Sequence, residues 1–253
     1  TGSITASDID ASASLSYTSV ADSGNATTYG TFSVDGSGTW TYNIDESAAD
    51  SLDADDTVTE TFRVTVDDGL GGTDTQDVVV TITGTNDAPV INAADATGTV
   101  IEAGLDTEGT ASATGSITAS DIDASASLSY TVVDASGNDV TNVDSSYGTF
   151  SVDGSGTWTY DIDNSAADSL DNEDSVTESF TVTVADGLGG TDTQEVVVTI
   201  TGTNDAPVID ASTTDATGTV IEAGLETEGT AQATGSITAS DIDASASLSY
   251  TVV

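Results

Sequence analysis

The 253-residue sequence has no cysteine, no histidine, no methionine, two prolines and one basic residue, Arg63, against 44 acidic ones, for a formal net charge of −43. Each absence closes a class of function. Without Cys no disulfide forms. Without Cys or His there is no thiolate or imidazole metal site, which points away from zinc and copper. A Ser-His-Asp or Cys-His nucleophile system cannot be assembled. One cation cannot neutralise a run of phosphates, so nucleic acid is excluded as a partner, and an anionic membrane surface fails for the same reason. No run approaches the roughly 18 apolar residues of a membrane-spanning helix, which excludes insertion by that route. Carboxylates remain, and their natural inorganic partner is a hard cation such as Ca²⁺.

Aromatic residues are also scarce, at 5%, and the hydrophobic fraction is 36%, a composition that can signal disorder. Pattern argues for folding. Thr61-Phe62-Arg63-Val64-Thr65-Val66 alternates strictly, as does Thr39-Trp40-Thr41-Tyr42-Asn43-Ile44. Val78, Val80 and Ile82 alternate with Val79, Thr81 and Thr83. Period two in β-branched and aromatic residues marks half-buried strands. Glu46–Leu52 can make one short helical turn. The expectation is an all-β protein whose order depends on bound cations.

Internal repetition sets the architecture. Thr1–Tyr17 recurs unchanged at Thr114–Tyr130 and Thr234–Tyr250, Tyr29–Tyr42 recurs at Tyr147–Tyr160, and Thr81–Ile91 recurs at Thr199–Ile209. The period, near 118 residues, is too long for a solenoid and matches one β-sandwich domain. Length differences between copies fall in the loops 18–28 and 131–146 and in 92–97 and 210–217. We therefore divide the chain into a partial repeat at 1–86, a complete repeat at 87–204 and the N-terminal part of a third at 205–253. The sequence opens and closes inside a repeat and lacks an initiator Met, so it is expected to be a segment of a longer array whose secretion signal lies elsewhere. About seven strands are expected in the middle copy: Val90–Ile91 with Gly98–Ile101, Ala111–Ala119, Ser127–Val133, Gly148–Val152, Thr157–Ile162, Ser175–Ala185 and Asp192–Gly202. Asp153-Gly154-Ser155-Gly156 and Asp186–Gly190 are hairpin signals. The expected core is Ile117, Leu128, Tyr130, Phe150, Val152, Trp158, Tyr160, Ile162, Phe180, Val182, Val184, Val196, Val198 and Ile200.

Acidic residues recur at fixed places. Asp-x-Asp stands at Asp8/Asp10, Asp121/Asp123 and Asp241/Asp243. Asn-Asp-Ala-Pro stands at 86–89 and 204–207. Glu102 and Glu222 each follow Val-Ile. Leu-Asp-x-acid supplies Asp53/Asp55 and Asp171/Glu173, and Asp68 and Asp186 precede Gly-rich hairpins. Ca²⁺ takes six to eight oxygens from carboxylates, amides and carbonyls. Asp-x-Asp offers two on one local turn, and Asn-Asp adds more on a linker stiffened by Pro. Carboxylates this crowded repel until a cation arrives, which couples binding to ordering. An acid pair such as Asp45/Glu46 could in principle serve a glycosidase, but the acids sit at repeated positions and no carboxylate pair is unique, which argues against an enzyme.

At these residues the sequence resembles the cadherins. Thr118–Asp123 followed by Leu128-Ser129-Tyr130 is similar to a cadherin opening, Leu170-Asp171-Asn172-Glu173 to the cadherin Leu-Asp-Arg-Glu, and Thr199–Val208 to the inter-domain linker. It resembles more closely the VCBS repeat, a bacterial cadherin-like module of large secreted RTX-type adhesins. That likeness rests on Gly148-Thr149, Asp153–Tyr160, Val184–Gly190 and Gly202–Pro207, with their first-copy counterparts. The resemblance implies tandem Ig-like, cadherin-like Greek-key β-sandwiches with Ca²⁺ between consecutive repeats. It implies one site from Asp53, Asp55, Asn86, Asp87, Asp121, Asp123 and Asp186, and another from Glu102, Asp171, Glu173, Asn204, Asp205, Asp241 and Asp243. The linker is one residue shorter than in cadherins, and Asp55 stands where the second copy has Glu173. The implied role is a calcium-stiffened spacer of a secreted bacterial surface adhesin, for cell adhesion or biofilm, with affinity on the order of 10⁻⁴–10⁻³ M. A polymerising extracellular filament, by lateral or head-to-tail self-association, is the alternative. A sugar- or protein-binding adhesive module is the second.

Overall fold

The computed structural model describes residues 1–10, 12–21, 27–172, 174–226, 228–243 and 245–252. The chain divides into two compact units. One comprises Thr1–Val90 with Ala119–Leu128 and Ala185–Asp192, the other Ile91–Thr118 with Ser129–Val184 and Thr193–Val253. Almost all regular structure is strand.

In the first unit, β1 (Gly2–Ser3), β4 (Thr39–Ile44) and β3 (Gly30–Val34) form one sheet in the order β1-β4-β3. A second sheet runs β2-β5-β6, from β2 (Ser16–Ala21), β5 (Thr57–Asp67) and β6 (Thr73–Thr83). The one-turn helix α1 (Glu46–Ala49) connects the sheets. Alternation along β5 puts Phe62, Val64 and Val66 in the interior. Phe62 stacks on Phe32 of β3 at 4.4 Å between ring centroids.

The complete repeat adds β7 (Val90–Ala94), β8 (Thr97–Ile101), β9 (Ser112–Ser120), β10 (Ser129–Val133), β11 (Asp139–Val140), β12 (Asn142–Asp144), β13 (Gly148–Val152), β14 (Thr157–Ile162), α2 (Asn164–Ala167), β15 (Ser175–Ala185) and β16 (Thr191–Thr201). Two five-stranded sheets, β11-β10-β15-β16-β8 and β12-β13-β14-β9-β7, make an Ig-like sandwich. β8 pairs with β16 in parallel, Val198 opposite Gly98 and Ile200 opposite Val100. Phe150, Trp158, Tyr160 and Ile117 of one sheet meet Phe180, Val182, Val184, Val196, Val198 and Ile200 of the other, all buried. β17 (Val208–Ile209) and β18 (Ala239–Ser240) pair in the C-terminal segment. Among the described residues no helix is long and apolar enough to cross a membrane.

The bounds of β13, β14 and β15 are those expected from alternation, and twelve of the fourteen expected core residues are buried. Leu128 and Ile162 sit half-buried at strand ends. The segment 131–146, expected as loop, forms a hairpin instead. The Asp134 carboxylate accepts N–H bonds from Ser136 and Asn138, both at 2.8 Å, with Gly137 at φ 82°, and β11 and β12 follow. The positive φ is why glycine stands there.

Two inward-facing carboxylates were not expected, Glu60 buried and Glu178 half-buried. Glu60 shares the inward parity of Phe62 and accepts from the Tyr42 hydroxyl (2.7 Å) and the Thr28 and Tyr29 amides. Glu178 in β15 accepts from the Tyr160 hydroxyl (2.7 Å), Ser145 Oγ (2.6 Å) and the Ser146 amide (2.9 Å). Burial and the adjacent carboxylate push both tyrosine hydroxyls well above their ordinary range.

Candidate metal centres

Within the first unit three short segments converge. The Asn86-Asp87 linker follows β6, the Asp121-Ile122-Asp123 turn follows β9, and Asp186 follows β15. The Asp123 amide donates to Asp121 Oδ1 at 2.9 Å, an Asx turn that places both carboxylates on one side. The Asp87 amide donates to Asp123 Oδ2 at 2.7 Å, and Asn86 Nδ2 donates to Asp186 Oδ2 at 2.8 Å. Asp186 is 1% exposed and also takes the amides of Leu188, Gly189 and Gly190. The Asn86 bond, followed by these amides, holds its carboxyl below the usual range. Asp53 Oδ1 accepts from the Ser125 amide at 3.2 Å. Asp87 is pushed up by burial and then by Asp123, Asp50 and Asp121. Asn86 Oδ1, Asp121 Oδ2 and Asp123 Oδ1 are buried without a hydrogen-bond partner.

The second unit contains a related arrangement that includes a buried glutamate. Glu102, just past β8, is 0% exposed and accepts the Thr203 amide on Oε2 at 2.9 Å. Asp168, the C-cap of α2, and Asp205 of the linker each bring a carboxylate oxygen within 4.8 Å of it and of each other. The Asp205 amide donates to Asp243 Oδ2 at 2.9 Å, the Asp243 amide to Asp241 Oδ1 at 3.1 Å, and the Ser245 amide to Asp171 Oδ1 at 3.0 Å. Asn204 Nδ2 donates to the Asp205 carbonyl at 2.6 Å. Burial dominates at Glu102 and pushes its carboxyl up to about 7, with Asp205, Asp168 and Asp243 adding to it. Asp205 rises for the same first reason, then through Asp168, Asp243 and Asp241. Glu102 Oε1, Thr203 Oγ1, Asp205 Oδ2 and Asp243 Oδ1 are buried and unpartnered.

Several expected residues lie elsewhere. Asp55 is exposed in a turn at φ 68°. Asp68 accepts the Leu70 and Gly72 amides of its own hairpin, at 2.7 and 2.9 Å, which hold it below the usual range. Glu222 is exposed, unlike its copy Glu102. Glu173 lies outside the described residues. Asp168 and Asp50 went unrecognised in the sequence, although both recur in Ser-Ala-Ala-Asp-Ser-Leu, and so did the Thr203 hydroxyl.

Every unpartnered atom in these clusters is an oxygen, and burying such a group without a partner costs roughly 1–3 kcal/mol, more when it is charged. A donor set of carboxylates, a side-chain amide and a hydroxyl suits a hard divalent cation and no soft one.

No curated protein matches the chain. Among solved structures it is similar to mouse cadherin-23 EC22-24, with 15% identity, 81% of this chain and 60% of that one covered, and a TM-score of 0.44. For Drosophila N-cadherin EC1-4 the figures are 20% identity, 80% and 44% coverage, and 0.40. For human CDH23 EC21-23 they are 18% identity, 96% and 78% coverage, and 0.42. The chain thus spans less than two thirds of each of the first two. The family model of the bacterial cadherin-like domain matches residues 1–84 and again 86–202. With most of its length covered by two successive matches, the chain belongs to the bacterial cadherin-like domain family.

Proposed function

We propose that the chain is a calcium-stiffened spacer, its repeats at 1–86, 87–204 and 205–253 linked end to end by Ca²⁺ in a secreted bacterial surface adhesin of the RTX type. The observation that carries this reading is the set of buried, unpartnered oxygens, from Asn86, Asp121 and Asp123 in one cluster and Glu102, Thr203, Asp205 and Asp243 in the other. A chain with 44 acids and one base has no cation of its own to place there. Asp53, Asp87 and Asp186 would complete the first site, Asp168, Asp171 and Asp241 the second. When bound, Ca²⁺ supplies charge neutralisation and a cross-link between linker and loop. The protein holds the carboxylates in position through the Asx turns and the linker amides, and it excludes water.

The family's adhesion-type role and extracellular setting agree with this reading, as does a Cys-free chain that can be exported unfolded. The test is differential scanning calorimetry together with small-angle scattering in 2 mM CaCl₂ and in EGTA. Calcium is expected to raise the melting temperature and lengthen the particle, with half-saturation on the order of 10⁻⁴–10⁻³ M. Melting and maximum dimension that do not respond to calcium refute the proposal.

A further inference from the structure

Two glycines bracket the indole of Trp158 in the complete repeat. Gly115 of β9 lies opposite Trp158 of β14, and a Cβ on it would sit 2.6 Å from the ring. Gly98 of β8, in the other sheet, meets the same ring, where a Cβ would sit 2.9 Å from Cη2 and 2.9 Å from the Ala113 Cβ. Carbon atoms pack at about 3.5–4.0 Å, so neither place admits a side chain. The ring has no room to retreat. It is fully buried, it stacks on Phe150 at 5.8 Å between centroids, and its Nε1 donates to the Asp95 carbonyl at 2.6 Å.

β8 is also the strand whose neighbour runs parallel to it. It pairs with β16 from Val197 opposite Thr97 to Thr201 opposite Ile101. The Val197 amide donates to the Ala96 carbonyl at 2.9 Å and the Glu102 amide to the Thr201 carbonyl at 3.0 Å, and a parallel ladder of this length holds about six such bonds. The chain enters β8 from Asp95 and leaves β16 at Thr201 for the linker. Tension on the backbone therefore draws β8 toward its N-terminus and β16 toward its C-terminus. In parallel neighbours these pulls oppose each other along one axis, so the bonds are loaded together in shear. The same pull drives Val100 toward the indole, since it is the next inward residue after Gly98 and is fully buried. Two residues of a strand span roughly 6.6 Å, so a slide shorter than that brings a branched side chain to a place that admits none.

We propose that the contact between Gly98 and Trp158 is a mechanical stop, which keeps β8 from sliding along β16 when the repeat is pulled. Its parts are the gap at Gly98, the side chain of Val100 behind it, and an indole fixed by Gly115 and Phe150. The Trp158 bond to the Asp95 carbonyl adds to it, because that bond must break as β8 moves. A stop of this kind has a use in a chain that carries tension, so the proposal rests on the spacer reading, but the resistance itself does not require calcium.

The chain has no cysteine, so a pair of introduced thiols gives defined handles for single-molecule pulling of the full chain in EGTA. Asp95→Cys with Ala206→Cys draws β8 and β16 in opposite directions along their length. Asp95→Cys with Glu195→Cys draws the same two strands apart from one end and breaks their bonds in turn. All three residues are exposed. The rupture force is expected to be several-fold higher with the first pair of handles, with an extension gain of roughly 350–400 Å. Trp158→Phe keeps an aromatic ring but removes Nε1 and Cη2. It is expected to lower the first force by a larger fraction than the second, whereas a general loss of stability lowers both alike. Equal forces in the two directions overturn the proposal. So does a Trp158→Phe chain in which both forces fall by the same fraction or neither falls. Melting and length that ignore calcium would remove the spacer reading and leave the difference in force standing.

Discussion

Replacing Glu102 by Gln separates a metal site from a structural carboxylate, because the two roles predict opposite signs. Glu102 is fully buried, and its pKa stands at about 7 against an ordinary 4.5. The charged form is therefore disfavoured in the folded, calcium-free protein. Below pH 4.5 the acid is protonated in both folded and unfolded states and costs nothing. As pH rises through the folded value the cost grows, and it is complete by pH 8. At ~1.4 kcal/mol per tenfold in proton affinity, the gap amounts to about 3.5 kcal/mol. Glu102→Gln keeps an oxygen for the Thr203 amide and removes the charge. In EGTA at pH 8 it should raise the melting temperature of the complete repeat by about 14 °C, taking about 4 °C per kcal/mol for a domain of this size. At pH 4 the gain should vanish. In calcium the sign reverses, because a buried anionic ligand is lost, and the calcium-induced increment should shrink by more than the calcium-free gain. Calorimetry on both proteins at pH 4 and 8, with EGTA or CaCl₂, reads all four values. A variant less stable than the parent in EGTA at pH 8, or one with an unchanged calcium increment, refutes the reasoning.

The same raised acid predicts proton release. Calcium titrated in at pH 6 should displace close to one proton from the Glu102 cluster and almost none at pH 9, which isothermal titration in buffers of different ionisation enthalpy measures. Glu178→Ala leaves the Tyr160 hydroxyl, Ser145 hydroxyl and Ser146 amide without their acceptor. It should cost roughly 2–4 kcal/mol by urea denaturation, with calcium affinity unchanged. Sodium chloride should not replace calcium: 0.5 M salt screens exposed acids but not buried ones, so melting in EGTA should rise by only a small part of the calcium increment. Asp68→Asn should leave calcium binding unaltered, since that carboxylate is engaged by its own hairpin.

What could be read from the sequence was local. β13, β14 and β15 came with their bounds because alternation and an Asp-Gly turn act within ten residues. Asp121 and Asp123 could be paired because an Asx turn closes over two residues, and the repeated Asn-Asp-Ala-Pro marked the linker that meets them. Asp168 escaped because it follows Ser-Ala-Ala with no acid beside it, and only the turn of α2 and the return of the linker bring it to Glu102. Glu178 escaped although its signal was present. It occupies the inward parity of β15 with Phe180 and Val182, which a solvated acid does not. The hairpin at Asp134–Asn138 has alternation only on its β10 flank, where Tyr130 and Val132 are buried, and the short β11 and β12 that follow are held by the sheets that receive them. Glu102 is buried beside β16, residues distant in sequence, and Glu222, which shares its local sequence, lies exposed in a segment with no such strand among the described residues.

The net charge therefore acts at a few places rather than as a uniform field. Asp35, Asp153 and Asp134 each hold two or more N–H or O–H donors of their own turns and lie below the usual carboxylate range. They are exposed, satisfied and screened by salt, and they fix hairpins. Asp77 has the guanidinium of Arg63 at 2.8 Å, so the one cation in the sequence is engaged on an exposed strand pair. Glu60 is buried and Glu178 half-buried, with a tyrosine hydroxyl each. What is left uncompensated is the set around Asp87 and Asp205, whose carboxyls rise through burial and through one another. Repulsion there is unscreened and falls where linker and loop meet. On the proposed reading, a cation bound at those points would change the stiffness of the connection while the sandwich, held by Phe150, Trp158 and Phe180, keeps its core.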